Sequence, residues 1–193
     1  MNTHVAPPPG RLTAEQFLAF IEDRPREERW QLIDGEAFVM MSPATHPHQM
    51  IGRNLARLLD KALEQHRPDL AALQEFGIRS DEYPDFLAVA DVAVVDGQVE
   101  NEVYGSRYYL AAEILSDSNT RESISRKRFL YAASQHCLHV LIISQKDVAV
   151  EVWSRSNGWK GRVYRSPEDV IELAEFAFAC RVADLYRGTP VKG

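Results

Sequence analysis

Apolar residues recur at spacings of three and four in the first third of this chain, then give way to shorter, denser apolar runs. Thr13 followed by Gln16 is a capping-box signature, and it opens a short amphipathic helix carrying Phe17, Leu18 and Ile21. WQLID and EAFVMM flank Asp34-Gly35, a hairpin turn signal. Residues 42–48 read as a polar, proline-bearing loop. It feeds a long helix marked by Ile51, Leu55, Leu58, Leu59 and Ala62. From about Leu70 the runs LAALQEFGI, FLAVADVAVV, YYLAAEILS, HVLIIS and VAVEVWSR are strand-like by length and β-branched content. Residues 121–134 read as a helix between the third and fourth of them. A WKGRVYRS strand, an IELAEF segment and a final helix over residues 182–186 complete the pattern. Near-continuous apolar strands such as VADVAVV and HVLIIS predict a sheet covered on both faces. The expected fold is α/β (α+β): a mixed central sheet flanked by helices, with an antiparallel meander towards the C-terminus. Residues 1–11, with Pro7-Pro8-Pro9-Gly10, are expected to be a flexible leader, and residues 12–190 a single domain.

Composition narrows the class. At 45% hydrophobic and 26% charged residues, the chain has the balance of an ordinary globular protein. No apolar stretch approaches the ~20 residues that span a bilayer. The first residues have neither a basic region nor an apolar one, so a cytoplasmic protein is expected. Cys137 and Cys180 lie far apart without CxxC spacing, which excludes a zinc ribbon and argues against a disulfide framework. Cys137 reads as a buried thiol rather than a nucleophile. No GxSxG elbow is present, which weighs against an α/β hydrolase. The net charge of −6 weighs against tight, non-specific nucleic-acid binding and leaves room for a local basic patch.

Two acids stand inside apolar strand runs: Asp91 in AVADVAVV and Glu113 in YYLAAEILS. Burying a carboxylate costs several kcal/mol unless a cation or good hydrogen bonds compensate. On neighbouring strands the two form a seat for a hard divalent ion such as Mg²⁺. The alternative for either is an arginine partner or a solvent face. Lys127 shares a helix face with Ile124 and Tyr131, an unusual place for a solvent charge. Its stem either carries the ammonium to a phosphate or an attacking water, or snorkels to solvent. Arg126 and Arg128 are turned about 100° to either side. Pro84-Asp85 follows the turn-like Asp81-Glu82-Tyr83, so Asp91 is preferred over Asp85. Glu36 on the hairpin reads as solvated, and His46 and His48 as loop histidines. Trp153, Trp159, Tyr164 and Phe176 either pack the core, the favoured reading, or offer a platform for bases.

The segments LIDGEAFVMMSPATHPHQ, ADVAVV and AAEILSDSNTRESISRKRFLYA, closed by CRVADLYR, resemble in order and spacing the Uma-two family of restriction endonucleases, within the PD-(D/E)XK nuclease superfamily. The resemblance covers about Trp30 to Tyr186. It implies a restriction-endonuclease-like fold and phosphodiester hydrolysis in nucleic acid, with DNA the expected substrate and Mg²⁺ or Mn²⁺ the cofactor. Asp91 and Glu113 become metal ligands, Lys127 the catalytic lysine, and Glu36 a third carboxylate. His48, which matches the family's motif histidine, becomes a hydrogen-bond partner for a phosphate or a ligand carboxylate. Independently of the resemblance, Arg126 and Arg128 make the helix basic and are expected to contact the substrate electrostatically. A homodimer is expected if both strands are cut, since two-fold targets favour two-fold enzymes. Three positions depart from the family pattern. Ala90 replaces a proline, Leu115 stands where the superfamily's usual lysine would be, and Ser123, beside Glu122, replaces an aspartate. These departures, with the acidic charge, favour as a rival a nuclease fold that binds or regulates without turnover.

Overall fold

The computed structural model describes residues 10–25, 28–40, 44–98, 103–116 and 119–192, so most of the expected leader lies outside the described residues. Helix α1 (Ala14–Glu22) starts at Thr13, whose hydroxyl accepts from the Gln16 amide while the Gln16 side chain caps the Thr13 amide. Strands β1 (Arg29–Ile33) and β2 (Glu36–Met40) form the expected hairpin. Asp34 and Gly35 both have positive φ, 52° and 78°, the two-residue turn whose twist matches its strands.

Helix α2 (His46–His66) begins earlier than the sequence suggested. Thr45 is its N-cap, accepting from the His48 amide, and Pro47 sits in the first turn, where a missing N–H costs nothing. His46 and His48 are therefore first-turn helical residues rather than loop residues. After α2 come β3 (Leu70–Arg79), β4 (Leu87–Asp96), the short β5 (Tyr104–Gly105) and β6 (Tyr108–Leu115). Helix α3 (Arg121–Ala133) then crosses to β7 (His139–Ser144), which pairs parallel with β6. Strands β7, β8 (Val150–Ser154) and β9 (Arg162–Tyr164) form the expected antiparallel meander. The sheet runs β2-β1-β4-β6-β7-β8-β9, with β3 paired to β4 and β5. A separate hairpin joins β10 (Val170–Leu173) to β11 (Phe178–Arg181) before α4 (Val182–Leu185). β11 was not anticipated. Only Phe178 and Cys180 point inward, too short a run for alternation to stand out.

One face of the sheet carries α2 and the C-terminal hairpin: Ile51, Leu55 and Leu59 meet Val92, Leu110, Leu141 and Phe176. The other carries α3, where Ile124, Leu130 and Tyr131 meet Ala93, Ala111 and Ile142. The same alternate residues do not keep to one face. In β4, Val92 and Val94 join the α2 side, but Ala88 and Ala90 join the α3 side. In β3, Leu70 and Ala72 part in the same way from Phe76 and Ile78. Both strands exchange faces between Gln74↔Val92 and Phe76↔Ala90, where Glu75 has φ 53° and lies level with Asp91. Among the described residues no helix is long and apolar enough to cross a membrane.

Candidate active site

Asp91 sits where β4 parts from β6. Their pairing runs through Val92↔Ala112, which places Asp91 opposite Glu113 at the end of the ladder. Beyond that level β4 turns towards β1, meeting it at Leu32↔Leu87, while β6 continues beside β7 to Leu115. At the fork the Asp91 side chain takes over a strand's work, and its Oδ2 accepts from the Ile114 amide at 2.6 Å. An unmet buried amide there would cost about 1–3 kcal/mol. His48, from the first turn of α2, brings Nε2 to 3.3 Å from the same oxygen. Burial disfavours the charged imidazole, but Asp91, Glu113 and the Ile114 carbonyl outweigh it and hold the pKa above its usual value.

Glu113 is 5% exposed and fully engaged. Lys127 Nζ donates to both of its oxygens at 2.8 and 2.7 Å, and the Tyr131 hydroxyl donates to Oε1 at 2.7 Å. Burial pushes the Glu113 carboxyl up, Lys127 pulls it down, and Asp91 adds to the rise. Burial and the Glu113 charge drive the Tyr131 phenol well above its usual value, so it stays a donor. Tyr131 itself is held by the edges of Phe86 and Tyr108. Sequence reading used Tyr131 only to define the face of Lys127. Its spacing of four from that lysine was the available signal.

Helix α3 delivers these groups because Thr120 and Ser123 cap it reciprocally at 3.1 Å, which gives Ser123 a structural task at its departure from the family pattern. The helical period then puts Ile124, Lys127 and Tyr131 against the sheet, with Lys127 5% exposed. The lysine does not snorkel. The flanking arginines part company. Arg126 is bound in a two-point ion pair to Asp34, with Nε 2.6 Å from Oδ2, and this hydrogen bond holds the Asp34 pKa down. Arg128 instead lies over the Trp153 ring, 3.9 Å from its centroid.

Glu36 is not brought to the site. It pairs with Ile33 at the Asp85 end of β4, where Gly35 donates to the Asp85 carbonyl. That is about five residues, or ~16 Å, along from Asp91. Exposed on the edge strand, its carboxylate makes no hydrogen bond or ion pair among the described residues. His46 is likewise exposed. Asp85 lies outside the sheet in the loop before β4. Tyr164 and Phe176 are core residues, as favoured. Cys137 and Cys180 are free and buried, and burial raises both thiols to about 12, which removes them as nucleophiles.

Mg²⁺ is commonly held by one or two carboxylates, with water completing its shell. Asp91 and Glu113 fit that pattern as hard oxygen donors side by side, and no described residue hydrogen-bonds Asp91 Oδ1. An ion on Glu113 must share its oxygens with Lys127. Among the described residues no three His, Cys, Asp or Glu side chains group closely enough to hold an ion by themselves, so the site does not suit a zinc cage.

Comparison with known proteins bears on the family and the fold. The model of the Uma2 family, described as "putative restriction endonuclease", matches residues 14–183. The crystal structure of a protein described as a "putative nuclease belonging to DUF820" from Anabaena variabilis ATCC 29413 matches with a TM-score of 0.71 and 18% identity. The match covers 91% of this chain and 97% of that one, and at this identity it speaks for the fold alone. None of the curated proteins matches. With the family model spanning most of its length and a solved nuclease-type fold behind it, the chain belongs to the Uma2 family.

Proposed function

We propose that this protein is a cytoplasmic, metal-dependent endonuclease that hydrolyses phosphodiester bonds in DNA, working as one domain over residues 12–190. What carries the reading is the buried Lys127–Glu113 contact beside Asp91, at the fork between β4 and β6. Asp91 and Glu113 would hold Mg²⁺ or Mn²⁺. Such an ion supplies a water of lowered pKa and neutralises charge on the phosphorus. Lys127, tethered to Glu113, presents its remaining N–H to the attacking water or a phosphate oxygen. Tyr131 keeps Glu113 in register with Lys127, and His48 keeps Asp91 turned into the fork. Two copies would act together if both strands of a duplex are cut.

The rival, a nuclease fold that binds without turnover, draws on the full engagement of Glu113 by Lys127 and Tyr131. Plasmid nicking with Mn²⁺, beside calorimetric titration of the ion, separates the two. Wild type should nick and bind Mn²⁺, EDTA should stop nicking, and Asp91→Asn should lose both. Equal Mn²⁺ binding by wild type and Asp91→Asn would refute the metal assignment. Mn²⁺ binding without nicking of any substrate would favour the rival.

A further inference from the structure

Three arginines surround α3 and its neighbouring strands, and in two of them Nε and Nη2 already donate to the protein. Arg126 is committed to Asp34. Arg155 stacks on Trp159 at 5.4 Å, but its N–H groups go to the carbonyls of Ala132, Ser134 and Cys137. Arg128 makes no hydrogen bond or ion pair with any described residue, in a chain whose net charge is −6. Its guanidinium lies 3.9 Å from the centre of the Trp153 ring. That indole is itself fixed. Its Nε1 donates to Glu151 at 3.3 Å, and Gly161 packs so close that a Cβ there would fall 2.6 Å from the ring.

We propose that Arg128, held over the ring of Trp153, is a preoriented clamp for a backbone phosphate of the bound nucleic acid, a few nucleotides from the bond that is cut. This rests on the nuclease reading above. Stacking uses the face of a guanidinium and leaves its in-plane N–H fork free, the geometry that grips a phosphate at two points. A side chain already fixed by its stack loses little freedom on binding. The placement follows from the register. Trp153 pairs with Val140, which pairs with Ala111, so it lies two strands and two residues from Glu113 on the same face. That is about 12 Å.

The test measures binding apart from cleavage. A labelled duplex of about 20 base pairs and its single strand are titrated in EDTA by fluorescence anisotropy across a range of salt concentrations. Arg128→Gln should weaken binding about ten-fold and make the salt slope shallower by about 1. Arg128→Lys should restore the slope but not the affinity. Trp153→Leu should weaken binding about three-fold at an unchanged slope, and Trp153→Tyr should recover it. Arg128→Gln with wild-type affinity and slope overturns the clamp, and leaves the nuclease reading standing if Asp91→Asn still abolishes nicking. A shallower slope in Arg128→Gln, with Asp91→Asn nicking normally, upholds the clamp and removes the metal assignment. Wild type that binds neither probe overturns the clamp.

Discussion

Two buried ionisable clusters lie on opposite faces of the same sheet, and they differ in how completely they close. On the C-terminal side, His139 is 2% exposed, with Nδ1 on Ser154 at 2.9 Å and Nε2 on Glu175 at 2.9 Å. Both ring nitrogens are spoken for, and Ser154 is its direct partner across β7 and β8. On the α3 side, Glu113 is engaged just as fully, but it stands beside Asp91, whose second oxygen has no donor among the described residues. Burial of charge is therefore not what sets the two clusters apart. The difference is a strand that stops pairing next to a buried charge, with one Asp91 oxygen left without a donor among the described residues.

The largest expected effect breaks the open cluster. Lys127→Met strands the Glu113 carboxyl in the core, at a cost of about 3–5 kcal/mol in urea unfolding, and it abolishes nicking. Adding Glu113→Gln to Lys127→Met should recover most of that stability while leaving the protein inactive. If Lys127→Met unfolded at the wild-type midpoint, the contact would not be a working ion pair. The closed cluster gives a smaller effect. His139→Phe orphans Ser154 and Glu175, so it should cost roughly 1–3 kcal/mol. Nicking per folded molecule should be unchanged, and lost nicking would make this cluster part of the site.

The smallest effect is in pH. Burial lowers the His139 pKa against the upward pull of Glu175. Below the usual histidine value of about 6.5, the unfolded chain takes up a proton that the folded one resists. The contribution of His139 is thus present above that value and lost as pH falls through its depressed folded pKa. Glu175, held low by its own backbone amide and by His139 despite burial, acts in the same direction at lower pH. Thermal unfolding between about pH 5 and 7 should show wild type losing stability faster than His139→Phe on acidification. A parallel decline would remove His139 from the account.

Much of this was legible from the chain. Periodicity located the main strands and helices, because buried strands and amphipathic helices impose patterns over six or more residues. It failed where a structure is too short to carry a period, as in β11, or where a cap sets the boundary, as Thr45 does for α2. Asp91 and Glu113 announced themselves as charges in apolar runs, and the structure places them side by side. The resemblance put Glu36 with the other carboxylates, whereas the hairpin's register sets it level with the Asp85 end of β4, away from Asp91, and only that register shows it. Arg126 and Arg128 were indistinguishable by helical angle. Their difference rests on Asp34, 92 residues away, and on Trp153, two strands across, and no local pattern contains either.

Glu113, Lys127 and Tyr131 all come from one strand–helix–strand crossover, whereas Asp91 and His48 arrive from separate parts of the chain. The lysine and its acid are thus assembled by local chain closure within a single supersecondary unit. The ammonium comes down onto the carboxylate from the helix, while Leu115 occupies the strand position two residues beyond Glu113. The order and direction of the strands place no demand on which of the two elements supplies it.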